Sequence, residues 1–367
     1  MAEKKDNNNH NKNNTSFTSA IAVSQMSIRN IPRRYILPLP HRPTLITDHK
    51  QQHCFSTRAS LPIIDLSSLD DPLLRSRIVD QVSLACEEFG FFQVTNHGIP
   101  VSFTKDALDV AKEFFDLPNE TKMRIASADI HKPVRYGTSL NHIKDKVQYW
   151  RDFIKHYSHP ISTWVDSWPS DPPTYKNKMG NYTKAINDLH KKLMQLIFES
   201  LGLKSNYIQK EIERGSQVTA VNYYPSCPEP SLALGLPPHT DYGLLTILLQ
   251  NQEGLQIKDK TGNWHSVPVI NEGLVVQLGD HMEVLSNGRY RGVVHRAVLN
   301  SEKNRISIAN IQSLSMDEKV GPALELVDEE YPVLYEEASF ADFLKFVSEN
   351  DILERRYIDT LRKGKIR

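Results

Sequence analysis

The stretch that decides the fold is residues 236–250, LPPHTDYGLLTILLQ, where a histidine and an aspartate open the most apolar strand-like run of the chain. Side chains two residues apart on an extended strand point to the same face, so His239 and Asp241 can be directed at one point in space. An imidazole and a carboxylate are costly to bury unless they have partners. The pair therefore indicates two ligands of a metal site at the mouth of a buried strand.

A third ligand is available in the β-rich run VVHRAV, where His295 lies 54 residues beyond Asp241. A histidine among apolar neighbours is either a core residue or a ligand, and the His-x-Asp pair in the same region favours the ligand. Two histidines and one carboxylate form the facial triad of non-haem Fe(II) oxygenases, which leaves coordination positions open. Zinc accepts the same residues, so the pattern alone leaves both metals open.

A competing triad has to be considered, because His281 and Glu283 in DHME repeat the spacing of two. The next residues, SNGRY at 286–290, are a hairpin signal. Such a turn would place Glu283 across from residues 292–294 and crowd any metal against the hairpin. This alternative is therefore disfavoured.

A carboxylate site is indicated by RISIA, in which Arg305 and Ser307 share one face of a predicted strand. A guanidinium fork beside a hydroxyl suits a carboxylate through charge-assisted hydrogen bonds. The alternative is an exposed arginine with a solvated hydroxyl. The other large residues of this run, Ile306 and Ile308, are apolar and make an exposed strand less favourable.

Composition excludes several classes of function. The chain has 367 residues with 44 Lys and Arg against 44 Asp and Glu, so no net charge attracts nucleic acid or an anionic membrane. Its three cysteines lack a Cys-x-x-Cys spacing, which argues against a disulfide framework or a structural zinc site. No run approaches the roughly 20 apolar residues of a membrane span. We expect a cytoplasmic monomer, although the Ser, Thr and Arg content near the N-terminus leaves organelle import open.

The segment pattern predicts an α+β protein. Helical spacing dominates before residue 216, and short β-rich runs separated by Asn, Gly or Asp turns follow, as in a sandwich or jelly roll. We predict a disordered tail over residues 1–30, a mainly helical region over 31–215, a jelly-roll domain over 216–325 and a helical segment over 326–367.

Three blocks carry a family resemblance: NYYPSCPEPSLALGLPPHTDYGLLTILLQ, GLQIKDKTGNWHSVP and LVVQLGDHMEVLSNGRYRGVVHRAVLNSEKNRISIA. Together with LPIIDLSSL and CEEFGFFQVTNHGIP, they resemble the plant Fe(II)/2-oxoglutarate-dependent dioxygenases, which include flavanone hydroxylases, flavonol and anthocyanidin synthases and salicylate hydroxylases. The resemblance extends from about residue 31 to the C-terminus.

The resemblance implies a double-stranded β-helix core with Fe(II) held by His239, Asp241 and His295. It also implies that Arg305 and Ser307 bind the 5-carboxylate of 2-oxoglutarate. Tyr224 and Asn222 fall near this co-substrate, with a structural role open for both. Ascorbate is the expected reductant, and the products include succinate and CO2. No catalytic side chain is expected beyond the iron ligands.

The resemblance also suggests which residues line the substrate pocket, with ordinary packing as the alternative for each. They are Tyr136, Phe153, Lys155, Tyr242, Ile311 and Ser313. Ile311 stands where flavonoid-oxidising relatives tend to have an aromatic residue. We therefore expect hydroxylation or desaturation of a small, fairly apolar phenolic, flavonoid or terpenoid, with dioxygen as the second substrate. The alternatives are an oxidase of this fold that does not use 2-oxoglutarate and a non-catalytic barrel binding protein.

Overall fold

The computed structural model describes residues 17–43, 61–140, 145–350 and 355–364. The helices are α1 (Ala20–Ser24), α2 (Pro72–Glu88), α3 (Val101–Asp116), α4 (Asn119–Met123), α5 (Ile161–Trp164), α6 (Tyr175–Ser200), α7 (Gln209–Glu213), α8 (Asp280–Leu285), α9 (Phe340–Glu349) and α10 (Ile358–Leu361). The strands are β1 (Ile63–Asp65), β2 (Phe91–Thr95), β3 (Val134–Thr138), β4 (Asp152–His159), β5 (Ser216–Tyr224), β6 (Leu236–His239), β7 (Leu245–Gln250), β8 (Leu255–Lys258), β9 (Trp264–Ser266), β10 (Leu274–Leu278), β11 (His295–Ala297) and β12 (Arg305–Ser313).

The strands form two sheets. The larger has eight strands in the order β1-β2-β10-β7-β12-β5-β4-β3, and the smaller has four in the order β6-β11-β8-β9. All pairs are antiparallel except β1 with β2. Non-sequential neighbours such as β10 with β7 and β12 with β5 are the crossovers of a jelly roll. The fold is thus α+β, as the sequence predicts.

The helices cover one face of the large sheet. The long helix α6 packs against α2 and α3 and across strands β4, β7 and β12. Its buried positions include Met179, Ile186, Leu193 and Ile197, which recur at helical spacing and join the main core. Since the helices occupy this face, the other face of the sheet is left for a cavity. No helix within the described ranges is both long and apolar enough to cross a membrane.

Strands β3 and β4 revise the expectation of a mainly helical region before residue 216. Together with β1 and β2, they supply half of the eight-stranded sheet. Their interstrand partners are distant in sequence, as in the pairing of Phe153 with Asn222. The predicted boundary at 216 marks the start of β5 but does not separate two sheets.

The predicted disordered tail is wrong for residues 17–30. Within this range, α1 begins at the N-cap Ser19, whose side chain accepts a hydrogen bond from the backbone of Ala22. The buried carboxylate of Asp152 accepts hydrogen bonds from the backbone nitrogens of Ala20 (2.9 Å) and Ile21 (3.0 Å). These distant acceptors explain why local composition did not reveal the helix. Residues 1–16 lie outside the described residues.

The turn expected at residues 286–290 is present, but the strand expected before it is replaced by helix α8. The backbone nitrogens of Asp280 and His281 donate to the carbonyls of Asp241 and Tyr242, which sets the first turn against the preceding loop. The side chain of Glu283 accepts a hydrogen bond from the backbone of Gly292. These tertiary contacts override the local strand pattern.

The C-terminal segment contains the predicted helix as α9, which begins in a capping box of Ser339 and Asp342. Phe340 and Leu344 are its buried side chains. Residues 351–354 and 365–367 of that segment lie outside the described residues. The amphipathic α9 therefore has one face available to close over the sheet.

We predict that Asp152→Ala lowers the free energy of unfolding by about 2–4 kcal/mol, because it removes a buried charged acceptor from two backbone donors. Hydrogen exchange should accelerate at Ala20 and Ile21, and urea unfolding should report the stability. Asp109→Ala, which removes an exposed carboxylate from α3, is the matched control. Equal stability and exchange in the two variants would contradict the anchoring role of Asp152.

Candidate iron and co-substrate site

Two histidines face each other where the strands of the small sheet meet. His239 is the last residue of β6, His295 is the first of β11, and the two are direct antiparallel partners. Their ring centroids are 4.2 Å apart. Asp241 lies in the loop after β6 rather than in the strand, yet its Oδ1 is 3.7 Å from His239 Nε2 and 3.9 Å from His295 Nε2. The three predicted ligands therefore converge.

Backbone carbonyls orient both imidazoles. His239 Nδ1 lies 2.8 Å from the carbonyl of Pro237, and His295 Nδ1 lies 3.1 Å from that of Val293. A proton on Nδ1 donated to a carbonyl leaves the Nε2 lone pair for a metal. Burial, followed by the neighbouring His295, lowers the pKa of His239, which favours the neutral imidazole that binds metal. Both imidazole rings can thus donate an Nε2 lone pair to one metal ion.

The carboxylate of Asp241 is fixed in a similar way. Thr246 Oγ1 donates to Asp241 Oδ2 at 2.6 Å, leaving Oδ1 directed at the two histidines. Candidate ligand atoms of the triad lie within 4.8 Å of one another, and no other group of three metal-binding side chains was found within the described ranges. Two imidazole nitrogens and one carboxylate oxygen match the donor set that Fe(II) takes in a facial triad.

The competing pair is engaged elsewhere. His281 Nδ1 lies 3.1 Å from Ser313 Oγ, while Glu283 pairs with Arg362 at 2.9 Å and accepts from Tyr335. Because α8 is helical, residues 281 and 283 do not share a face as they would on a strand. The structure does not bring them to His295.

Arg305 and Ser307 lie on β12 beside the triad and line the same cavity. Arg305 is buried, its Nη2 donates to Gln250 Oε1 at 2.9 Å, and its Nε donates to the carbonyl of Gln252 at 3.1 Å. These acceptors are neutral, and burial lowers the pKa of the guanidinium. Within the described residues Arg305 forms no ion pair, so its charge is available to an anionic ligand.

Tyr224 and Asn222 are the β5 neighbours of Arg305 and Ser307 in the sheet. The guanidinium of Arg305 lies over the Tyr224 ring, 5.0 Å from its centroid. Asn222 Oδ1 accepts from Arg151 Nη1 at 2.9 Å. Arg151 was not among the predicted site residues. Its signal was its place in YWRD, next to the pocket candidates.

The cavity between the two sheets has a volume of about 250 Å³ and contains the triad, Arg305 and Ser307. Of the six pocket candidates, four line it: Phe153, Lys155, Tyr242 and Ile311. Tyr136 does not, because its neighbour Arg135 faces the cavity and Tyr136 packs among the helices against Phe114. Ser313 shares the face of Ile311 but lies beyond the end of the cavity, beside His281.

Helix α9 forms a wall of the cavity, and none of its lining residues was among the predicted pocket residues. Tyr242 stacks on Phe340 with centroids 4.2 Å apart and on Phe343 at 4.6 Å. Gly243 packs directly against β12, since a Cβ there would meet the Gln312 carbonyl oxygen at 2.4 Å. The loop that follows Asp241 thus packs between β12 and α9. Tyr242 connects the iron site to the wall formed by α9.

Comparisons with known proteins also indicate an oxygenase that uses Fe(II) and 2-oxoglutarate. Residues 215–312 match the 2OG-Fe(II) oxygenase superfamily, and residues 61–179 match the non-haem dioxygenase in morphine synthesis N-terminal family. "Flavanone 3-dioxygenase 3" from Oryza sativa subsp. japonica is 46% identical over 306 residues, 82% of this chain and 93% of the relative. "2-oxoglutarate-dependent dioxygenase 21, chloroplastic" from the same organism is 46% identical over 308 residues, 83% of this chain and 92% of the relative.

A solved structure shows the same architecture. It is described as "Crystal structure of JOX2 in complex with 2OG, Fe, and JA" and aligns with a TM-score of 0.79 at 32% identity, covering 90% of this chain and 94% of that one. The jelly-roll core, the use of Fe(II) and 2-oxoglutarate and the oxidoreductase class predicted from the sequence are confirmed. The chain belongs to the 2OG-Fe(II) oxygenase superfamily and, within it, to the plant 2-oxoglutarate-dependent dioxygenases.

Proposed function

We propose that this dioxygenase hydroxylates or desaturates a small, fairly apolar phenolic, flavonoid or terpenoid metabolite, with release of succinate and CO2. The observation that carries the proposal is one cavity that holds the triad His239, Asp241 and His295 together with the buried, unpaired Arg305. A metal that keeps open positions and a nearby cation are what a chelating keto acid requires. The apolar remainder of the cavity suits the substrate.

Each residue has a role that follows from its contacts. Nε2 of His239, Nε2 of His295 and Oδ1 of Asp241 would hold Fe(II), which supplies the oxidising chemistry when 2-oxoglutarate and dioxygen are bound. Arg305 and Ser307 would bind the 5-carboxylate of 2-oxoglutarate, and the Tyr224 ring supports the guanidinium. Both Arg305 and Ser307 are buried, which keeps water away and strengthens the ionic contact.

Arg151 is a positioning residue in this scheme. Its guanidinium donates to Asn222 Oδ1 and to the carbonyl of Ser139, so it joins β5 to the loop after β3. Asn222, which lines the cavity together with Arg151, is held in place by this hydrogen bond. No protein side chain needs to move a proton for the reaction, and the chain's contribution is to orient ligands and exclude solvent.

The two alternative functions are less well supported. An oxidase of this fold could use the Arg-x-Ser pair for a substrate carboxylate, but a relative 46% identical to this chain is named as 2-oxoglutarate-dependent. A non-catalytic binding protein has no need of three converging ligands with both Nδ1 atoms and Asp241 Oδ2 already engaged. The orientation of the ligands therefore favours catalysis.

The compartment and the oligomeric state remain predictions. We propose a cytoplasmic monomer, with organelle import as the alternative because one relative's name carries the word chloroplastic. Fluorescence of a C-terminal fusion and light scattering of the purified protein are the direct measurements.

Removal of a triad ligand should abolish iron binding. We expect His295→Ala to lower the Fe(II) content from about one ion per chain to near zero, because two remaining ligands hold the metal weakly. His281→Ala, the matched control from the competing pair, should keep full iron content. Metal analysis after gel filtration measures both, and iron loss in His281→Ala with retention in His295→Ala would contradict the assignment.

Loss of Arg305 should weaken 2-oxoglutarate without releasing iron. We expect Arg305→Ala to raise the KM for 2-oxoglutarate at least about 30-fold, equivalent to about 2 kcal/mol for a buried charged contact. Succinate formation and oxygen uptake with Fe(II) and ascorbate present are the readouts. Arg291→Ala, which removes an exposed arginine, is the control. An unchanged KM in Arg305→Ala would favour the oxidase alternative.

The product should reveal the substrate. Incubation of the enzyme with a plant metabolite extract, Fe(II), 2-oxoglutarate and ascorbate should yield a compound that has gained one oxygen or lost two hydrogens. Mass spectrometry of paired reactions with wild type and His295→Ala identifies it, since only the wild type should form it. Absence of both product and succinate across all extracts would contradict the proposed function.

A further inference from the structure

A second group of cations lines the cavity away from the iron and Arg305. Arg135 on β3 and Lys155 on β4 are direct partners in the sheet, and both side chains line the cavity. In the sheet order, β3 is three strands from β12, which carries Arg305. At about 4.8 Å per strand, Arg135 is about 14 Å and Lys155 about 10 Å from β12 across the sheet. The second group is therefore distinct from the site assigned to the 5-carboxylate of 2-oxoglutarate.

An aromatic ring lies against Arg135 and against Arg151, a third cation that lines the cavity. The ring of Phe153 has Arg135 at 4.9 Å and Arg151 at 4.6 Å from its centroid. Gly137 leaves room for this ring, because a Cβ there would meet Phe153 Cζ at 2.8 Å. Cation–π contacts hold guanidinium groups without neutralising them. Phe153 thus supports positive charge at the cavity surface and keeps it fixed.

The hydrogen bonds of Arg135 and Lys155 do not neutralise their positive charges. Arg135 Nη2 donates to the carbonyl of Leu140 at 3.2 Å, while its buried Nε has no acceptor. Lys155 Nζ donates to the carbonyl of Ile130 at 2.9 Å. Neither cation forms an ion pair among the residues that the structure describes; Asp129 and Asp145 act on Arg135 only as more distant carboxylates.

Burial makes these unpaired charges costly. It lowers the pKa of Arg135 to about 10 and, with the repulsion from Arg135, lowers the pKa of Lys155 to about 7. A buried cation without an anionic partner is destabilising, and cavity cations of this kind are typical of ligand sites. An anion in the cavity would offset the charge of Arg135 and stabilise the charged form of Lys155.

We propose that Arg135 and Lys155 bind a carboxylate of the substrate, so that the enzyme acts on small organic acids with an apolar body. This inference rests on the proposed function, because it assigns the substrate class of the same cavity. The floor between the cations and β12 is apolar at Ala220 and Ala309, and Ile311 lies farther along β12. A carboxylate at one end would leave the apolar body to extend along this floor towards the triad.

The test compares acids with their neutral amides. Fe(II)-loaded protein without oxygen is saturated with 2-oxoglutarate to block the Arg305 site, and binding of 1-naphthoate, 3-phenylpropanoate and geranate is measured by calorimetry against each primary amide. In the wild type, at least one acid should bind about tenfold or more tightly than its amide, as expected for a charge-assisted contact. Arg135→Met and Lys155→Met should remove this preference without weakening amide binding.

Two controls keep the test specific. Lys155→Arg retains the charge and should retain the preference. Lys258→Met removes a cation of β8 that lies over the Trp264 ring of β9 and should change nothing. Thermal melting confirms that each variant is folded. No acid binding more tightly than its amide, or a preference that persists in both methionine variants, would overturn the proposal.

Succinate formation by the same purified proteins, measured separately with oxygen present, separates this proposal from the function on which it rests. Absence of 2-oxoglutarate turnover by the wild type would contradict the dioxygenase reaction. The difference in affinity between acid and amide is measured without turnover and tests only the carboxylate site. Binding of an aryl sulfate in place of every carboxylate would overturn the carboxylate assignment.

Discussion

The antiparallel pairing of β6 with β11 is the interaction on which the iron site depends. It places His239 directly opposite His295, with ring centroids 4.2 Å apart. Each ring is then oriented by the backbone carbonyl two residues before it in the chain, so the same local contact occurs twice. A shift of one residue in this pairing would turn one imidazole to the opposite face of the sheet. The register of a short sheet thus determines whether the chain can bind iron.

The large sheet organises the ligands by rows. Arg305 and Tyr224 form one row across β12 and β5, while Ser307, Asn222 and Phe153 form the next across β12, β5 and β4. Ala309, Ala220 and Lys155 follow, and β3 adds Arg135 beside Lys155. Because alternate residues share a face, all of these side chains point to the cavity. One sheet face therefore carries Arg305 in one row and Lys155 with Arg135 two rows away, and Ala220 and Ala309 lie in the row of Lys155.

The sequence was sufficient for features that depend on short spacing. Arg305 with Ser307 needed only the period of two of strand β12, and the three helices α2, α3 and α6 needed only apolar periodicity. His239 and Asp241 were identified by the same spacing, although Asp241 lies in the loop after β6. Features that depend on distant contacts were missed. Helix α1 needs the Asp152 carboxylate, 132 residues from Ala20, and α8 needs the loop at residues 241–243. Tyr136 was placed in the pocket although its neighbour Arg135 lies there, since strand phase is fixed by pairing that the sequence does not show.

Strand β4 connects the N-terminal segment to the substrate wall. Its alternating side chains put Asp152 under helix α1, where the carboxylate binds the backbone of Ala20 and Ile21, and put Phe153 and Lys155 in the cavity. Tyr136 on β3 contacts the same carboxylate from its hydroxyl at 3.4 Å, while its neighbour Arg135 faces Phe153. The helix that covers one face of β3 and β4 therefore holds in place the strands that carry the cations on the other face. A change that weakens the packing of α1 would therefore affect substrate binding through β3 and β4, even though no residue of α1 lines the cavity.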